Sequence, residues 1–92
     1  MQEKETIILA VYDVLAMVGK DRGIEIENIE DSQTLVDELG FQSIDLARII
    51  TNLEFTTGLD PFSLLIPITS VRTVEDLYSA YIKCAEQQPP QA

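Results

Sequence analysis

The stretch "ELGFQSIDLARII", residues 38–50, decides how the rest of the chain is read. From Ser43 onward, Leu46, Ile49 and Ile50, followed by Leu53, recur at helical spacing, which predicts an amphipathic helix over 43–56 ended by Gly58. Gly40 allows a tight turn just ahead of it. Ser43 then stands at a helix start, where two readings are open. It is a plain N-cap, a role worth about 1 kcal/mol, although Leu46 sits where a full capping box would need Glu. Alternatively, its hydroxyl projects beside the free N–H groups of a helix N-terminus, a favourable place for a phosphate or phosphodiester. The chain has no histidine and one cysteine, which excludes Ser–His and Cys–His catalytic pairs and the usual zinc sites. A Ser–Lys enzyme would need Lys4, Lys20 or Lys83, and none has a spacing that argues for it.

Outward from this stretch, Ile7, Val11, Val14, Leu15 and Val18 predict a first helix over 3–18, with Glu3 and Glu5 at its positive end and Gly19 or Gly23 near its stop. Residues 19–42 form a long connection. Its "GIEIENIEDS" alternates like a strand but has no second strand to pair with. It is read as a loop pinned by Ile24, Ile26, Ile29 and Leu35, with a short helical turn allowed inside "DSQTLVDELG" behind Asp31 or Ser32. "LDPFSLLIP" predicts a short third helix, with Asp60 as cap, Pro61 at its first position and Pro67 as its stop. The last helix opens at "TVED", where Thr73 and Asp76 approximate a capping box, and buries Val74, Leu77, Tyr78, Tyr81 and Ala85. The fold class is therefore all-α: a four-helix bundle of three main helices and one short third helix, with a long loop between helices 1 and 2. The domain is expected over 1–86, with "QQPPQA" giving an unstructured tail over 87–92.

Six Lys and Arg against sixteen Asp and Glu give a net charge of −10 at pH 7, which repels nucleic acid and anionic lipid; it either attracts basic docking patches on proteins or serves only to keep the chain in solution. The longest apolar run, Ile7–Tyr12, is too short to span a membrane. "MQEKET" lacks the basic start of a signal peptide, so a cytoplasmic location is expected. Cys84 falls at helical spacing from Leu77 and Tyr81 and reads as a small, partly buried hydrophobe. "DRGIEIENIEDS" lacks the spacing of a calcium loop.

"ELGFQSIDLARIITNLE" resembles the prosthetic-group attachment motif of the acyl carrier proteins, E/D-L-G-x-D-S-L/I-D/E-x followed by an amphipathic helix. Glu38, Leu39, Gly40, Ser43, Ile44 and Asp45 match it position by position, and the order of elements is similar over roughly residues 5–83. The resemblance implies that a separate phosphopantetheinyl transferase attaches 4′-phosphopantetheine from coenzyme A to Ser43, supported by Gly40 and Asp45. The arm would carry acyl groups as thioesters and present them to ligases, ketosynthases and acyltransferases. The protein would then be a monomeric carrier, not an enzyme. Asp37, Glu38, Gln42, Ile44, Asp45, Arg48 and Glu54 are the expected docking residues. Leu46, Ile50, Leu53, Leu64, Leu65 and Ile66 are candidates to line an acyl-chain space, or else are ordinary core.

Two departures qualify the match. Gln42 stands where the family usually has Asp, which bears on the choice of transferase, and Arg48 brings a positive charge to a helix that is usually acidic in carriers of fatty acid biosynthesis. With the apolar "FTTGLDPFSLLIPITSV", these features point to a specialised carrier from polyketide, mixed peptide–polyketide or modified-lipid synthesis. The alternatives are a peptidyl or aminoacyl carrier of the nonribosomal type, and a non-carrier acidic helical adaptor in which Ser43 is only a cap.

Overall fold

The computed structural model describes residues 3–26, 28–64 and 67–87. Four α-helices run α1 (Lys4–Arg22), α2 (Ser43–Thr57), α3 (Pro61–Leu64) and α4 (Val74–Gln87), with a 3-10 turn at Ile68–Ser70 before α4. The described residues contain no strand; the one β-type pairing is an isolated bridge between Thr34 and Thr73. The expected all-α class, the short third helix and the long first loop are all present. The 3-10 turn was not anticipated.

α1 buries Ile7, Val11, Val14, Leu15 and Val18, the whole stripe read from its spacing. It packs against both α2 and α4, while α3 packs on α4. The core is completed by Ile49 and Leu53 from α2, by Val74, Leu77 and Tyr81 from α4, and by Leu35, Leu39, Phe41 and Leu59 from the connections. Each such large apolar side chain contributes roughly 1.5–3 kcal/mol on burial, so the packed stripes, more than helix propensity, hold the bundle. Cys84 lies inside this core.

Several boundaries move from their sequence-based positions. α1 does not stop at Gly19. It continues to Arg22 and closes at Gly23, whose φ of 75° is left-handed, with Gly23 N–H bonded to the Lys20 carbonyl and Ile24 N–H to the Gly19 carbonyl at 2.8 Å. Gly19 serves packing instead: a Cβ there would sit 2.8 Å from Ile26 Cδ1, so its absence lets the loop lie against the helix. Residues 35–39 form a single turn, closed by Gly40 N–H donating to the Val36 carbonyl at 3.1 Å, which does not extend into a helix. The capping groups there are Thr34 and Glu38, not Asp31 or Ser32: Glu38 N–H donates to Thr34 Oγ1 and Thr34 N–H to Glu38 Oε1, both at 3.0 Å. At α4 the expected box is formed, with Asp76 N–H donating to Thr73 Oγ1 and Thr73 N–H to Asp76 Oδ2, each at 3.1 Å. α4 also runs through Gln87, one residue into the expected tail; residues 88–92 lie outside the described residues.

The long loop is bound to the start of α4. Val74 N–H and Glu75 N–H, two donors with no partner inside α4, give their hydrogens to the carbonyls of Gln33 and Asp31 at 3.0 Å each. Leu35 N–H in turn donates to the Arg72 carbonyl at 2.9 Å. This explains how a connection of that length keeps its polar backbone satisfied while burying Leu35, Leu39 and Phe41.

Candidate functional site

The sequence around Ser43 alternates between anchored and open residues. Phe41 is 1 % exposed and Asp45 0 %, while Gln42, Ser43 and Ile44 between them are exposed. Gly40 supplies the turn before Phe41 with a φ of 84°, in the left-handed region that a residue with a Cβ rarely adopts. Gln42, extended at φ −101° and ψ 173°, is the N-cap, and Ser43 is the first helical residue. This corrects the reading of Ser43 as the cap. The capping geometry belongs to its neighbours: Gln42 N–H donates to Asp45 Oδ2 at 2.8 Å. The Ser43 hydroxyl is therefore spared for other chemistry, on the first turn of a fifteen-residue helix.

Asp45 is the pivot of this turn. Its Oδ2 also accepts from Arg22 Nη1 at 2.5 Å, an ion pair reaching from the last residue of α1. The Gln42 amide, opposed by burial but joined by the Arg22 guanidinium, holds the Asp45 carboxyl below its ordinary range. Its burial removes Asp45 from the expected docking surface; it is committed to the Gln42 amide and to Arg22. Arg22 was not anticipated, because the first helix had been expected to stop before reaching it.

A solved structure of the same shape belongs to MacpD, an acyl carrier protein from Pseudomonas fluorescens involved in mupirocin biosynthesis. It is 35 % identical, with a TM-score of 0.75, over 97 % of this chain and 77 % of that one. The chain belongs to the acyl carrier protein family. No protein-family model matches it, and no curated protein matches it.

In this carrier protein the remaining docking candidates stand at the surface with unequal freedom. Asp37 and Glu54 are exposed, and Glu38 is exposed with one oxygen committed to Thr34. Arg48 Nη2 lies 3.1 Å from Asp21 Oδ2, with both side chains about half exposed, so the pair holds weakly. With Asp45 buried, Glu54 is the one exposed acid on α2. Ile44 is 66 % exposed, and Phe55 is 81 % exposed on the same helix. Phe55 was missed because an aromatic at the end of an amphipathic helix reads as core.

Of the residues expected to line an acyl-chain space, Leu53 is fully buried and Leu46 and Ile50 are half-buried. Leu65 and Ile66 lie outside the described residues, as does the side chain of Leu64. Nearby, Tyr81 is fully buried with its ring edge-on to Phe62 at 5.8 Å between centroids. No helix among the described residues is long and apolar enough to cross a membrane.

Proposed function

We propose that this carrier protein is modified at Ser43 with 4′-phosphopantetheine and presents acyl groups to the enzymes of a specialised biosynthetic pathway. The observation that carries the proposal is the exposed Ser43 hydroxyl on the first turn of α2, clamped between buried Phe41 and buried Asp45, in a chain 35 % identical to an acyl carrier protein. The site suits a phosphodiester. The serine oxygen is accessible, and a helix start offers N–H groups and positive dipole to an anion.

In the transfer, the Ser43 oxygen forms the new bond to the phosphorus that bears the pantetheine chain in coenzyme A. The pyrophosphate bond breaks, and adenosine 3′,5′-bisphosphate leaves. The serine proton passes to a base on the transferase, which fits a chain without histidine. Once attached, the arm supplies a terminal thiol that holds an acyl group as a thioester. The chain's own residues present the serine, keep the attachment turn rigid and offer the α2 face to partners. Expected partners are a phosphopantetheinyl transferase and the ligases, ketosynthases or acyltransferases that load and process the cargo. The domain proposed is 1–86, working as a monomer in the cytoplasm. The relation to a carrier involved in mupirocin biosynthesis supports a specialised pathway.

Incubation with coenzyme A and a broad-specificity phosphopantetheinyl transferase is expected to add one phosphopantetheinyl unit to the intact mass, and none to Ser43→Ala. A folded parent that gains nothing would instead favour the helical adaptor. Loading of the modified protein by aminoacylating but not acyl-loading enzymes would move the cargo to the aminoacyl class.

A further inference from the structure

The last turn of α1 meets the first turns of α2 through two ion pairs. Asp21 Oδ2 lies 3.1 Å from Arg48 Nη2, and Arg22 Nη1 lies 2.5 Å from Asp45 Oδ2. They are unequal. The side chains of the first pair are 54 % and 44 % exposed, so water screens them. In the second, the Asp45 side chain is 1 % exposed and Arg22 34 %. The same Asp45 oxygen accepts the backbone N–H of Gln42, the residue before Ser43. The other oxygen, Oδ1, is buried with no hydrogen-bond partner among the described residues. Arg22 is thus the cation bonded to a buried carboxylate, and that carboxylate orients the peptide leading into Ser43. Without Arg22, a buried charge would be left with one backbone hydrogen bond. It would take up a proton or turn toward water, and either change loosens its hold on Gln42.

We propose that Arg22 is a positioning residue for the modification of Ser43. Through Asp45 it fixes the backbone at Gln42 and hence the direction in which the Ser43 hydroxyl is offered to the transferase. The proposal rests on Ser43 being the attachment site. Because in-line attack on phosphorus depends on alignment, loss of Arg22 acts on kcat, whereas loss of a direct contact with the transferase would act on KM.

The test measures phosphopantetheinylation kinetics of the unmodified protein by intact mass, using coenzyme A and a broad-specificity transferase. Arg22→Gln is expected to lower kcat about tenfold with KM within about twofold. Arg22→Lys should recover most of the loss, and Lys83→Gln, an equal charge change on α4, should match the parent. In amide hydrogen exchange, the Gln42 N–H should lose protection in Arg22→Gln while those of Leu53 and Tyr81 keep theirs. An Arg22→Gln variant with parental kcat, a loss confined to KM, or unchanged Gln42 protection would each overturn the proposal. If the parent gains no mass, or Ser43→Ala gains as much, the attachment reading fails and this proposal fails with it. The exchange result separates the two cases, because it reports on the Arg22–Asp45–Gln42 link without any transferase.

Discussion

Tyr12 on α1 donates its hydroxyl to the carboxylate of Asp31 on the long loop. The Asp31 carbonyl accepts Glu75 N–H at the start of α4, and the Tyr12 and Tyr78 rings meet edge-on at 6.5 Å. One loop residue therefore joins α1 to α4. The hydrogen bond to Asp31 pushes the Tyr12 phenol up to about 12, and burial pushes Tyr78 up to about 12 as well. A raised folded-state value favours the neutral phenol in the native protein. This stabilisation is complete below the ordinary tyrosine value of 10.0 and is lost as pH rises through about 12. Urea midpoints measured across that range should fall, and Tyr12→Phe should flatten the fall while lowering stability at neutral pH by about 1 kcal/mol.

The acid side depends on Asp45. Its carboxyl is held below the ordinary 3.8 by the Gln42 amide and then by Arg22. A depressed folded-state value contributes stability that is present above 3.8 and lost as pH falls through the lowered value. Asp76 behaves alike: burial alone would raise it, but the N–H groups of Thr73 and Arg72 and the Thr73 hydroxyl bring it below 3.8. Denaturant midpoints should drop below that point, and Asp45→Asn should weaken the drop, although it lowers stability near neutrality.

Thr73 closes the start of α4 by accepting Asp76 N–H at 3.1 Å. Thr73→Ala should cost about 1 kcal/mol in equilibrium unfolding, and Thr73→Ser should restore most of it.

Leu53 and Phe55 separate packing from surface on one helix. Leu53 is 0 % exposed and Phe55 81 %. Leu53→Ala should destabilise by about 2–5 kcal/mol. Phe55→Ser should change stability by no more than about 0.5 kcal/mol. If Phe55 contacts partners, the same substitution should raise the KM of at least one enzyme that acts on the loaded carrier.

The helices were legible where periodicity and caps agree: the α1 stripe and the Thr73–Asp76 box stand as read. Gly19 misled because a glycine marks either a helix stop or a close approach, and only the nearness of Ile26 decides between them. The Thr34–Glu38 cap escaped because its members stand four residues apart, where the common box has three. Ser43 was legible as a residue at the start of α2, and Asp45 as its support, but Phe41 and Arg22, which hold the same turn, were not. Phe41 looked like any loop aromatic. The Arg22–Asp45 pair joins residues separated by 23 positions, a contact no local pattern encodes. Asp45 looked like a surface acid because its partner lies on another helix.

The central claim is that Ser43 carries the arm, and fragmentation mass spectrometry of the peptide containing "FQSIDLAR" after transfer from coenzyme A tests it most directly. The account predicts a single phosphopantetheinyl group on Ser43, released as the whole arm on fragmentation. A modified residue elsewhere in the chain, or an unmodified Ser43 in a protein shown to be folded, would contradict it.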